Sequence, residues 1–239
     1  MSRLDDLVRF YDLLGRLELK LGGPKWLAEC HGRMGWPGRG VYFFFENGEE
    51  RSTTGQGPRV VRVGTHALST GSKSTLWGRL SQHRGQAGGG GGNHRGSIFR
   101  LLVGSSLRSM RKSAEPSSWG VGSDPGQAAK RLGFSRDWVK AQESALEEEV
   151  SGLIGKMPFL WLPVDDPPGP DSLRGRIERN AIALLSNYKR PAIDPPSPHW
   201  LGLHSDREKV RLSGLWNNNH VEETYDPGFL EDLEFLIDE

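Results

Sequence analysis

The stretch GVYFFFE, residues 40–46, is dense in β-branched and aromatic side chains and reads as a buried strand. The polar run ENGEERSTTGQGP then turns the chain, and RVVRVG (59–64) has the length and boundaries of a second strand. Together they form a β-hairpin. After the loop THALSTGSKS comes LWGRLSQH (76–83), where Leu76 and Leu80 mark a helix. Arg79 and His83, four positions apart, are neighbours on one helical face.

Working outward, LDDLVRFYDLLGRLELKL near the start repeats apolar residues at helical spacing, with Asp5 and Asp6 in the first turn. Gly22, Gly23 and Pro24 end that helix, and GWPGRG (35–40) is a loop. The run GQAGGGGGNHRGS (85–97) exposes backbone, and SIFRLLVGSSLRSMRK continues as a basic helix. Residues 113–140 read as a loop-rich insertion. WVKAQESALEEEVSGLIG is a helix, MPFLWLPV (157–164) a third strand and LRGRIERNAIALLSNY a further helix. In the tail, Phe229, Leu233 and Leu236 recur at helical spacing, so this acidic end docks. There is no internal repeat.

A chain of 239 residues is expected to form one sizeable domain. No apolar run approaches the roughly 20 residues of a membrane span, and MSRLDDLVRF does not resemble a signal peptide. The expectation is a cytoplasmic protein with no membrane partner. Cys30 is the only cysteine, so neither an internal disulfide nor a CxxC zinc site is available. Net charge is only +1, yet Lys73–Arg136 carries 11 Lys or Arg against two acids, while Val221–Glu239 carries 8 acids and no base. A basic middle in a near-neutral chain suits local binding of a polyanion.

The order hairpin, helix, inserted helices, third strand, helix carries four matching pieces. They are Gly40-Val41-Tyr42, then Val63-Gly64, then Arg79 and His83 on one helix, and Glu178 on a later one. Together they resemble the GIY-YIG nuclease family, and most of all its restriction-endonuclease-like members with insertions. The resemblance implies an α/β fold, a small central β-sheet flanked by helices. It places a catalytic core at 38–195, an insertion at about 85–140, an N-terminal helical extension at 1–37 and a C-terminal extension at 196–239.

It also implies phosphodiester hydrolysis in DNA by an endonuclease. Arg79 would clamp phosphate oxygens, since a guanidinium is planar, always charged and offers paired donors. His83 would orient or activate the water, or relay a proton. Tyr42 would lie beside that water as orienter or base. Glu178 would be the metal ligand for Mg²⁺ (or Mn²⁺), an ion that keeps several waters and takes other ligands from phosphate.

The sequence departs from the family pattern at Arg62, which stands where the second motif carries tyrosine. Arg62 becomes a phosphate contact, with the tyrosine's task passing to His66 or Lys73. The nearest counterpart of the family's downstream asparagine is Asn187. In NHRG (93–96) and on the helix that follows, Asn93, Arg95 and Arg100 are candidate substrate contacts, because Asn pairs with adenine and Arg with guanine or phosphate. WNNNH (216–220) reads as a turn in preference to a DNA-reading segment. Two other functions stay open: a nucleic-acid-binding module with weak or absent catalysis, and an RNA-cleaving nuclease. A double-strand break by one active site per chain calls for a homodimer or two visits.

Overall fold

The computed structural model describes residues 2–112 and 117–239. Strand β2 runs over Gly40–Glu50 and returns as β3, Pro58–Gly64, antiparallel to it. Tyr42 faces Gly64 and Phe44 faces Arg62, before the register slips between Phe44 and Phe45. The predicted hairpin is therefore present, with β2 reaching four residues further than its apolar run. The third predicted strand, β4 (Pro158–Pro163), pairs with the opposite side of β2, setting Trp161 against Tyr42. A two-residue strand, β1 (Lys25–Trp26), lines the outer edge of β4, so the all-antiparallel order is β1-β4-β2-β3.

Alternation along β2 divides its side chains between two layers. Val41, Phe43 and Phe45 join Leu160 and Leu162 on one face, against helices α1 (Arg3–Leu21), α6 (Leu173–Leu185) and α8 (Phe229–Asp238). Tyr42, Phe44 and Phe159 occupy the other, against α2 (Leu76–Arg84), α3 (Ile98–Met110) and α5 (Arg136–Gly155). The result is the expected α/β architecture, a small sheet flanked by helices. Among the described residues no helix is long and apolar enough to cross a membrane.

Helix α1 is a structural part of this core. Ser2 and Asp5 close its first turn as a reciprocal capping box. Beside that cap, Arg3 donates to the carbonyls of Leu184 (2.9 Å), Ser186 (2.7 Å) and Pro191 (2.9 Å). A cation thus sits where α6 leaves carbonyls unpaired and its dipole is negative. The acidic tail docks as expected, with Glu234 of α8 bridging Arg9 (2.7 Å) and Arg16 (2.8 Å) of α1.

Within the stretch 113–140, residues 117–140 are more helical than the loop-like composition suggests. Residues 113–116 lie outside the described residues, but Pro125–Leu132 forms α4 and α5 already begins at Arg136. Asp124 caps α4 through the Gly126 and Gln127 amides, Pro125 occupies its first turn, and Gly133 ends it with φ 74°. These are ordinary start and stop signals in a segment too short and polar to show periodicity.

Two glycines are fixed by the sheet itself. A Cβ on Gly40 would lie 2.4 Å from the Leu162 carbonyl oxygen, and one on Gly64 would lie 2.4 Å from the Tyr42 hydroxyl. The Tyr42 ring therefore crosses the strand where only glycine leaves room. Gly64→Ala should lower stability by about 1–3 kcal/mol, the scale of overpacking in a dense core. Equilibrium urea unfolding measures this, and an unchanged midpoint would contradict the close approach.

Candidate active site

Helix α2 brings two site residues to the sheet. Thr75 caps it by accepting the Gly78 amide, and Leu76 and Leu80 bury its inner side. His83 falls on that side and is fully buried, whereas Arg79, one turn earlier, is half-buried at the rim. His83 Nε2 lies 2.7 Å from the Tyr42 hydroxyl and Nδ1 lies 2.7 Å from Ser97 Oγ. Ser97 Oγ also accepts the Arg100 amide as it caps α3.

Among the described residues, His83 Nε2 is the acceptor available to the Tyr42 hydroxyl. The phenol proton thus points at Nε2, and Nδ1–H points at Ser97. Burial, with the cations Arg62, Arg79 and Arg100 nearby, holds the His83 pKa well below its ordinary value. The imidazole is therefore held in its neutral form.

Arg62 lies on the same sheet face as Tyr42, opposite Phe44, with its guanidinium 4.8 Å over the Phe99 ring. It is 4 % exposed, donates to the Trp216 carbonyl, and leaves Nε buried without a partner. It floors a cleft of about 350 Å³ whose walls include Arg79, Glu178, Asn218 and His220.

Glu178 enters from α6. Its Oε1 accepts the amide of Thr65, the residue after β3, at 3.1 Å. Burial raises its pKa, while Arg62, His220, the Thr65 amide and Arg79 pull it back. A partly buried carboxylate beside open space, with no hydrogen bond to its second oxygen among the described residues, is a suitable single anchor for a hydrated divalent ion. No cluster of three or more His, Cys, Asp or Glu that could hold a metal occurs among the described residues, so other ligands would come from water and phosphate.

Arg62, Arg79 and Glu178 thus line one cleft, the Tyr42–His83 pair is buried behind Arg62, and the remaining candidates lie elsewhere. Arg95 forms a two-pronged pair with Glu143, 2.7 Å at each contact, and donates to the Ser118 and Val121 carbonyls. Arg100 is fully buried against Glu147 and donates to the His83 carbonyl at 2.9 Å. Asn93 caps the short turn at His94 by accepting the Arg95 amide. Asn187 is occupied by Arg3 and by both backbone groups of Ile193. Lys73 sits exposed in the loop before α2.

His66 is buried, with Nδ1 3.1 Å from the Ser74 carbonyl and Nε2 without a partner. The segment WNNNH (216–220), expected as a turn in preference to a DNA-reading stretch, brings Asn218, Asn219 and His220 to the cleft. Asn217 is buried, accepting the Val63 amide and donating to the Val63 carbonyl at 2.8 Å, as a neighbouring strand would.

The small antiparallel sheet flanked by helices is the fold expected of a nuclease-type domain. A family model described as GIY-YIG domain matches residues 1–239, and the chain belongs to the GIY-YIG family. The match extends beyond the predicted core, 38–195, at both ends. Comparison with curated proteins and with solved structures gives no match.

His66 gives the fold a measurable acid limit. Burial, followed by the charge of Arg174, lowers its pKa from 6.5 to about 4. The unfolded chain binds that proton below pH 6.5, but the folded chain does so only near pH 4. The stabilisation is complete above 6.5 and is lost as pH falls through this window, by on the order of 3 kcal/mol. His66→Asn, which keeps a donor toward Ser74, should flatten that part of the curve. Urea unfolding at pH 7, 5.5 and 4.5 tests it, and equal slopes for both proteins would refute it.

Proposed function

We propose that this chain is a metal-dependent endonuclease that hydrolyses phosphodiester bonds in DNA, in a restriction- or defence-like role within the cytoplasm. One observation carries the reading. The buried line Ser97–His83–Tyr42 lies behind Arg62, which with Arg79 and Glu178 lines an open cleft.

His83 accepts the Tyr42 proton, and the phenolate oxygen then takes the proton of the attacking water. His83 thereby supplies what the missing second-motif tyrosine would have supplied; His66 and Lys73 do not touch Tyr42. Arg79 and Arg62 hold the phosphate oxygens and stabilise the charge that grows on them. Arg100 acts behind His83, holding its carbonyl. Glu178 would hold Mg²⁺ or Mn²⁺, which when bound neutralises charge on the phosphate and leaving oxygens. A homodimer would deliver two such sites to the two strands.

The substitution of Arg62 for tyrosine and the full burial of Tyr42 favour a second reading, a module that grips nucleic acid without cutting it. RNA remains a substrate candidate because these groups address phosphate alone. Incubation with plasmid, duplex oligonucleotides and RNA, with and without Mg²⁺, separates the three.

Glu178→Ala should abolish Mg²⁺-dependent cutting while leaving duplex binding nearly intact, because the ion acts on the transition state. Arg79→Lys, although charge is conserved, should lower single-turnover cleavage about 100-fold or more, the scale of losing an oriented donor pair. Full activity of either variant would refute its assigned role. Full wild-type activity in EDTA would refute the metal dependence itself.

A further inference from the structure

We infer that His220, oriented by Glu223, is the general acid that protonates the leaving oxygen. This inference rests on the hydrolytic reading above and assigns it a residue absent from the four-piece signature. His220 lines the same cleft as Glu178, Arg62 and Arg79, and it continues along the wall below Glu178 toward Asn180. Its Nδ1 is 2.7 Å from Glu223 Oε1, which fixes the ring and directs the Nδ1 proton to the carboxylate. Nε2 has no hydrogen-bond partner among the described residues and is not buried, so it is free to serve a substrate.

The backbone supports the assignment. His220 adopts φ 65°, a left-handed conformation that histidine, asparagine and aspartate reach more readily than most other residues, and contacts on both sides hold the segment in place. Asn217 anchors the segment on one side by its two bonds to Val63, and the Glu223 amide donates to the His220 carbonyl at 3.3 Å on the other. The charged groups around the ring are Glu223, itself 3.6 Å from Arg179, with Glu178 and the guanidinium groups of Arg62 and Arg79 in the cleft.

The chemistry balances. The water oxygen bonds to phosphorus as the bond from phosphorus to the leaving oxygen breaks. One water proton passes through Tyr42 to His83, and the Nε2 proton of His220 passes to the departing alkoxide. His83 gains the charge that His220 loses, and exchange with bulk water resets both.

A thiolate leaves without needing a proton, and this makes the test specific. The wild-type cut is first mapped on a duplex oligonucleotide, and the bridging leaving oxygen at that position is then replaced by sulfur. His220→Asn is the suitable variant because asparagine tolerates the left-handed backbone. It should cut the oxygen duplex about 100-fold more slowly and the sulfur duplex at close to the wild-type rate. Glu223→Gln should show the same pattern with a smaller loss. An equal loss on both duplexes would make His220 a binding or structural residue and overturn the proposal, as would no loss on either. A wild-type chain that cuts no duplex would overturn the hydrolytic reading, and this proposal with it.

Discussion

The open edge of β3 is the constraint on which the site depends. An edge strand leaves amide and carbonyl groups that must be paired or covered. Here the chain after α7 (Glu208–Ser213) covers it: the Trp216 amide donates to the Val61 carbonyl at 2.7 Å, and the Asn217 side chain takes both Val63 groups. The Trp216 carbonyl in turn accepts from Arg62. Glu46 of β2 secures the segment from behind, receiving the indole N–H of both Trp200 and Trp216 at 3.0 Å. Satisfying one strand edge thus settles the guanidinium of Arg62 and delivers Asn218 and His220 to the cleft.

A second framework lies beneath α2. Arg100 joins the His83 carbonyl, Ser151 and Glu147, and Glu147 receives the His94 amide and sits 2.8 Å from its ring. Three helices and the glycine run therefore meet on one buried ion pair. Removing one partner of such a pair is costly because the other charge is left uncompensated. The arrangement also places cations around His83 without giving it an acid. The position that fixes its backbone is thus also one that keeps its ring neutral.

The sequence made the fold legible where periodicity is strong. The dense β-branched and aromatic run at 40–46 and helical spacing in α1, α2, α3, α6 and α8 all correspond to elements of the structure. Helix α4 escaped notice because eight residues with one apolar face give little periodic signal, and only Asp124, Pro125 and Gly133 betray it. Hairpin register and helical spacing are local geometry, so the motifs relate Tyr42 to Arg62 and Arg79 to His83, whereas Glu178 reaches Thr65 from α6 across 113 positions. Arg95, Arg100 and Asn187 are taken up by Glu143, Glu147, Arg3 and Ile193, and in three of these four cases the partner is more than forty residues away. Nothing in a local motif announces such a partner. His220 was hidden for the same reason, since its place beside Glu178 follows from the strand-edge cover and not from spacing.

Arg62 is the most informative departure from the family pattern. A tyrosine at this point of β3 would offer a hydroxyl that both gives and accepts protons. An arginine offers fixed charge and donors only. On the hydrolytic reading proposed above, proton traffic beside Tyr42 would run through His83, which burial and its cationic surroundings keep neutral. Arg62 itself is nearly fully buried, forms no ion pair among the described residues, and carries an unpartnered Nε. Burial lowers its pKa, yet arginine stays charged under all ordinary conditions. A buried cation without a carboxylate partner is costly in the free protein. A phosphate entering the cleft would supply the missing countercharge. On that reading the substitution would exchange a proton-sharing position for one that draws an anion.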